Sequence, residues 1–163
     1  MNSEIYSTAE QLVGLLKEKN LLIATAESCT GGLVSSYITA VSGSSAVFEL
    51  GIASYSCRIK NEALGVKKET LDTLGAVSRE TARQMAECIL KKAAADIGIS
   101  VTGVAGPNGS EGHMPGLVYI AAAYKGGATV KELNISPISR EYVREQAAEQ
   151  LLRLALNTVR EVF

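Results

Sequence analysis

One histidine, His113, occurs among 163 residues, so a multi-histidine metal centre is excluded, and a Ser-His-acid triad would have to draw its base from what reads as a loop. A hydrolase written in this sequence needs a different base. Cysteine is also scarce. Cys29, Cys57 and Cys88 are odd in number and widely spaced, which argues against a disulfide framework and against a Cys-x-x-Cys zinc site and leaves free thiols. No apolar run approaches the length of a membrane-spanning helix, and the N-terminus lacks a basic-then-apolar signal pattern, so a cytoplasmic protein without membrane contact is expected. Charge excess is missing as well: 16 Lys and Arg stand against 17 Asp and Glu, a net charge of −1, and the average field draws neither nucleic acid nor anionic lipid. Any basic site must be local. Absence of a Gly-x-x-x-x-Gly-Lys-Ser/Thr loop and of an obvious acid pair for magnesium argues against a kinase-like enzyme.

What is present is a chain that is 47% hydrophobic, enough to bury a substantial core in one domain over residues 1–163. Its apolar spacing predicts a helix from Ser3 or Ser7 to Lys19, a buried strand at 21–24, and a helix from Leu33 to about Ala40. A loop or helix start at 42–45, a weak strand at 51–55 and a short helix from Arg58 to Leu64 follow. Gly65 ends that helix. Another short helix spans about 69–74, and Ser78 caps a longer one whose Met85 and Ile89 belong to a core stripe. The continuous run 97–101 reads as a strand covered on both faces. Residues 117–124 and 130–135 form a hairpin about Gly126-Gly127, and Ser139 caps a terminal helix.

The stretch Thr25-Ala26-Glu27-Ser28-Cys29-Thr30-Gly31-Gly32 joins the first strand to a helix start, where unpaired backbone N–H groups favour anions. Ser28 or Thr30 serves equally well there as a helix cap. A second small-residue loop, 102–107, follows the 97–101 strand, so the two loops are expected to share a pocket beyond the carboxyl ends of parallel strands. Lys60 is a solvated lysine if exposed and a base if buried near Ser28. Arg140 and Arg144 lie one turn apart at the start of the last helix. They fit either an anion or pairing with neighbouring acids.

Together, 25–32, Gly-Ser-Ser-Ala-Val-Phe at 43–48, Tyr55-Ser56, Lys60, Gly-Ala-Val-Ser at 75–78 and Thr-Gly-Val-Ala-Gly-Pro at 102–107 resemble the nicotinamide mononucleotide deamidase family. The same module forms the C-terminal domain of the competence/damage-inducible protein CinA. The resemblance implies a three-layer α/β/α fold with a mixed, mostly parallel sheet, a homodimer, and hydrolysis of the carboxamide of nicotinamide mononucleotide to nicotinate mononucleotide and ammonia, in pyridine nucleotide salvage. It implies no metal and no cofactor. Ser28 and Lys60 match the family's catalytic pair, with Tyr55 beside them. Ser45, Thr102, Arg140 and Arg144 match other positions associated with the site, and the backbone N–H groups of Thr30, Gly31 and Gly32 or of Gly103 are expected to hold the substrate's oxyanion. Cys29 is the rival nucleophile, and spacing alone does not separate it from Ser28. The chain departs from the family in two places. Gly112-His113-Met114-Pro115-Gly116 stands where an acid-Lys-Pro-Val-Gly turn is usual, and Cys57-Arg58-Ile59 replaces Asn-Glu-Ala. The competing expectation is a non-catalytic nucleotide-binding module.

Overall fold

Ile23–Glu27 (β1) is buried at every residue and anchors a five-stranded sheet of order β2-β1-β3-β4-β5 in the computed structural model, which describes residues 1–163. Phe48–Ala53 (β2) and Ile97–Gly103 (β3) flank it, both parallel to it. Leu117–Tyr124 (β4) runs antiparallel to β3, and Gly127–Asn134 (β5) antiparallel to β4. Only β4 therefore points against the other strands. Helices Ser3–Lys19 (α1), Leu33–Ala40 (α2) and Arg140–Val162 (α6) cover one face, and Lys68–Leu74 (α4) and Arg79–Ala93 (α5) the other. This is the three-layer architecture with a mixed sheet that the sequence led us to expect.

The two faces are packed differently. A cluster of 29 buried residues, among them Leu12, Leu16, Ile38, Ile99, Ile120 and Leu151, fills the space under α1, α2 and α6. On the opposite face α5 sits close to the sheet on small residues, Ala82 and Ala86 against Ala121 and Ala123. Gly98 permits that approach, because a Cβ there would stand 2.4 Å from the Ala86 carbonyl oxygen.

Several boundaries differ from the sequence expectation. Asn2 caps α1 by accepting from the Glu4 N–H, so neither Ser3 nor Ser7 is the cap, and Asn20 ends the helix in the left-handed region at φ 55°. β1 continues through Thr25, Ala26 and Glu27, because β2 and β3 pair with it to that point, and the turn starts only at Ser28. β2 begins at Phe48 and ends at Ala53, earlier than its glycine suggested. The hairpin turns on Lys125 and Gly126, with Gly127 already paired to Tyr124. The expected helix at 58–64 divides into a short α-helix, Cys57–Ile59 (α3), capped by Ser56, and a π-helical turn, Lys60–Leu64, closed by Gly65.

The chain leaves β1 through α2 toward β2 on one side, then crosses back by way of α5 to β3 on the other. Strand order therefore reverses at β1, and a crevice opens beyond the carboxyl ends of β1 and β3.

Candidate active site

A cleft of about 350 Å³ occupies that crevice. Its walls come from the turn after β1 (Ser28, Cys29), the segment after β2 (Tyr55, Ser56, Cys57) and the loop after β3 (Gly103 to Gly106), with Arg140 at the rim. The two small-residue loops thus share one pocket.

Alternation along β1 sets its floor. Thr25 and Glu27 face α2, where Thr25 Oγ1 and Ser35 Oγ are 2.8 Å apart, while Ala24 and Ala26 pack on the α5 face. Ser28, next in that alternation, meets Lys60 on the α5 side. Lys60 is completely buried, and its Nζ lies 2.8 Å from Ser28 Oγ, 2.6 Å from the Ser54 carbonyl oxygen and 3.2 Å from that of Tyr55. Lys60 Nζ donates to all three oxygens, and once neutral the amine would keep two N–H groups for the carbonyls and turn its lone pair to the Ser28 hydroxyl. No carboxylate pairs with Lys60 in an ion pair. Burial pulls its pKa below the ordinary lysine value, against opposing pulls from Cys57, Cys29 and Glu111. The π-turn helps to place the nitrogen, since it begins at Lys60 and the Lys60 carbonyl accepts from the Gly65 N–H.

Cys29 differs sharply from its neighbour. Its side chain belongs to the large core, and burial pushes the thiol up to about 11. The reactive thiolate is therefore scarce near neutrality.

The expectation of an anion site at the start of α2 needs correction, as does the expectation that Ser28 or Thr30 caps that helix. Gly32 occupies the cap position at φ 97° and has no side chain to offer. The Glu27 carboxylate caps the helix instead, accepting from the N–H groups of Gly32, Val34 and Ser35 and from the hydroxyls of Thr30 and Ser35. An acid at a helix N-terminus also suits the dipole. Gly31 N–H donates to the Ser28 carbonyl and Gly32 N–H to Glu27, so between residues 29 and 32 the N–H groups of Cys29 and Thr30 are the two with no hydrogen-bond acceptor.

The other predicted residues divide between the cleft and its supports. Tyr55, Thr102, Gly103 and Arg140 line the cleft. Thr102 Oγ1 donates to the Ala76 carbonyl at 2.7 Å, and Arg140 donates to the Gly106 carbonyl and to the Tyr55 phenol oxygen. Thr30, Gly31 and Gly32 lie behind Ser28, outside the lining. Arg144 is there too: it donates to the Cys29 and Thr30 carbonyls and braces the turn from beneath, so the structure separates it from Arg140. Ser45 is exposed in a short 3₁₀ turn, Ser44–Ala46, just before the start of β2 at the opposite edge of the sheet.

Sequence reasoning missed Glu27 as the keystone of the turn and Glu111 as part of the cleft. Glu27 had a signal, namely a helix whose cap position is glycine and whose amides need an acceptor from elsewhere. Glu111 had none. Its glycine-rich loop lies beside the cleft because its carboxylate accepts from the N–H groups of Ala76 and Val77 at 3.2 and 3.1 Å. No cluster of three or more His, Cys, Asp and Glu side chains is arranged to hold a metal ion, and no helix is long and apolar enough to cross a membrane.

The CinA C-terminal domain model matches residues 5–159. Among curated relatives, a CinA-like protein of Kosmotoga olearia is 50% identical over 143 residues, covering 87% of this chain and 34% of the relative. A protein of Acetivibrio thermocellus carrying the name competence-damage inducible protein is 49% identical over 142 residues, covering 83% of this chain and 34% of the relative. The chain spans about a third of the length of these relatives. Solved structures match end to end. The competence/damage inducible protein CihA of Agrobacterium tumefaciens superposes with a TM-score of 0.90 at 39% identity, covering 94% of this chain and 96% of that one. The competence damage-inducible protein A of Klebsiella pneumoniae gives 0.94 at 29% identity, covering 98% and 99%. The family model, the relatives and the solved structures agree over nearly every residue, and the chain belongs to the CinA C-terminal domain family.

Proposed function

We propose that the protein is a nicotinamide-nucleotide amidase that hydrolyses nicotinamide mononucleotide to nicotinate mononucleotide and ammonia, with Ser28 as nucleophile and Lys60 as base. The observation that carries this reading is a fully buried lysine, its pKa lowered by burial, 2.8 Å from the hydroxyl of a serine that lines the cleft beyond β1 and β3. A serine becomes a useful nucleophile when an adjacent base can take its proton, and a neutral lysine supplies one where histidine is lacking.

In this reading Ser28 Oγ attacks the carboxamide carbon as its proton passes to Lys60 Nζ. The Cys29 N–H, on the residue after the nucleophile and without a backbone partner, donates to the oxyanion. Collapse breaks the C–N bond, the proton on Lys60 goes to the departing nitrogen, and ammonia leaves. Water then adds to the acyl-enzyme with Lys60 again taking the proton, and Ser28 departs with it. Arg140 at the rim is the cation for the substrate phosphate, and Tyr55, whose phenol oxygen accepts from it, lines the cleft beside it. Glu27 and Arg144 hold the turn and touch no substrate. The chemistry requires neither metal nor cofactor.

Ammonia release from nicotinamide mononucleotide by the purified protein is the test, with nicotinate mononucleotide identified as the second product. Stoichiometric production of both is expected. Tight binding of the nucleotide without ammonia would instead make the chain a nucleotide-binding module.

A further inference from the structure

Two charged side chains line the cleft, Arg140 and Glu111, and neither takes part in any of the chain's five ion pairs. Both are held by uncharged groups. Arg140 donates to a backbone carbonyl and a phenol, and Glu111 accepts from the two consecutive backbone N–H groups of Ala76 and Val77. Their charges are thus fixed in place without being neutralised by a counter-ion. Nor do they meet each other. The cleft offers one positive and one negative point, which suits a ligand carrying both.

Their positions differ as well. Arg140 ties the outer loops together, from Tyr55 to Gly106. Glu111 lies on the wall formed by Ala76, Val77 and Thr102, and its field is felt at Lys60, on the reacting side. The Glu111 backbone is left-handed, at φ 53°, a conformation that a non-glycine residue rarely adopts. The chain accepts that conformation while the carboxylate stays on the two N–H groups.

We infer that Glu111 is a specificity-determining residue that recognises the positive charge of an N-substituted pyridinium ring, so that the cleft selects cationic carboxamides over neutral aromatic ones. This rests on the amidase reading and deepens it. The scissile carboxamide hangs from a ring that is cationic because its nitrogen carries the ribose, and the phosphate lies at the other end of the molecule. Carboxamide on Ser28 and phosphate toward Arg140 leave the ring between them, near the Glu111 wall and Tyr55, where an aromatic ring also attracts a cation. The same carboxylate repels the carboxylate product, which favours its release.

The test uses Ser28→Ala protein, which cannot turn over, and measures binding of two ligands by titration calorimetry. One is nicotinamide mononucleotide. The other is the 5′-phosphate of 3-carbamoylphenyl riboside, in which carbon replaces the ring nitrogen, so that shape is kept and ring charge is lost. Adding Glu111→Gln, which keeps one acceptor for the Ala76 and Val77 N–H groups, should weaken the cationic ligand by about tenfold and the neutral one by less than twofold. Glu111→Asp should retain most of the preference. Equal weakening of both ligands would make Glu111 a loop latch only and overturn the inference, as would no change in either. Failure of the Ser28→Ala protein to bind either ligand would overturn the amidase reading itself, a result distinct from equal weakening.

Discussion

The loops after β1 and β3 leave the same edge of the sheet, yet they are held in opposite ways. From Ser28 to Thr30 every residue is buried, and the turn is braced by five hydrogen bonds to Glu27 and by Arg144 on two carbonyls. In the loop after β3 the buried start is held by Arg140 on Gly106 and by backbone bonds at Val104, whereas residues 107–111 are exposed and rest on one carboxylate contact to Ala76 and Val77 and an isolated bridge between Ser110 and His113. The difference separates two tasks. In the proposed mechanism bond-making, which tolerates little misplacement, sits on the braced turn, and recognition sits on the loop that can vary.

The comparison is broken most severely by removing the base. Lys60→Met is one atom shorter than the fully buried lysine, fills most of its space and lacks the amine, so turnover should fall by about 10²–10⁴-fold while the protein stays folded by circular dichroism. Turnover of the parent should also decline on acidification. A base must be neutral to accept a proton, and the fraction of neutral Lys60 falls as pH drops through its lowered pKa. A pH profile that is flat on the acid side would contradict this assignment.

Glu27→Gln tests the brace. It replaces one acceptor oxygen by an NH₂ group facing N–H donors, at a cost of about 1–3 kcal/mol for each buried group left unpaired. Thermal unfolding should move down by several degrees. The catalytic constant should fall with little change in the Michaelis constant, and Glu27→Asp should recover less than full activity because it is shorter.

The two arginines sharpen the contrast. Arg140→Ala should raise the Michaelis constant for nicotinamide mononucleotide about tenfold and leave activity on nicotinamide riboside, which lacks the phosphate, nearly unchanged. Arg144→Ala should lower the catalytic constant on both substrates by the same factor, because it supports the turn itself. An exchange of these phenotypes would reverse the roles.

Thiol labelling has the smallest effect and needs no substrate. Cys57 is exposed, whereas Cys29 is buried with its thiol pushed up to about 11. Iodoacetamide near neutral pH should therefore modify Cys57 well before Cys29, read by peptide mass mapping.

Much of this was legible in the residues, and the illegible part has a physical pattern. Strand and helix order followed from apolar spacing, because each element buries one face or two. The cleft followed from two strands ending in small-residue loops. Lys60 was different. Its short helix gives no periodicity that distinguishes a buried lysine from a solvated one, and the π-turn that begins at Lys60 has no sequence signature. Arg144 and Arg140 share a helix face by spacing, yet the loop between them and the sheet sends one to the cleft and the other beneath the turn. Side-chain length and tertiary packing decide such cases, and neither is local. Glu27 could have been found from the uncapped start of α2, whereas Glu111 depends on a loop path tied to the rest of the cleft through its own carboxylate on Ala76 and Val77.

Ammonia release measured side by side for Ser28→Ala and Cys29→Ala tests the central claim most directly. Ser28→Ala should release no ammonia from nicotinamide mononucleotide, and Cys29→Ala, which loses a buried thiol that takes no part in the reaction, should keep much of the parental rate. An active Ser28→Ala protein beside an inactive but folded Cys29→Ala protein would contradict the account.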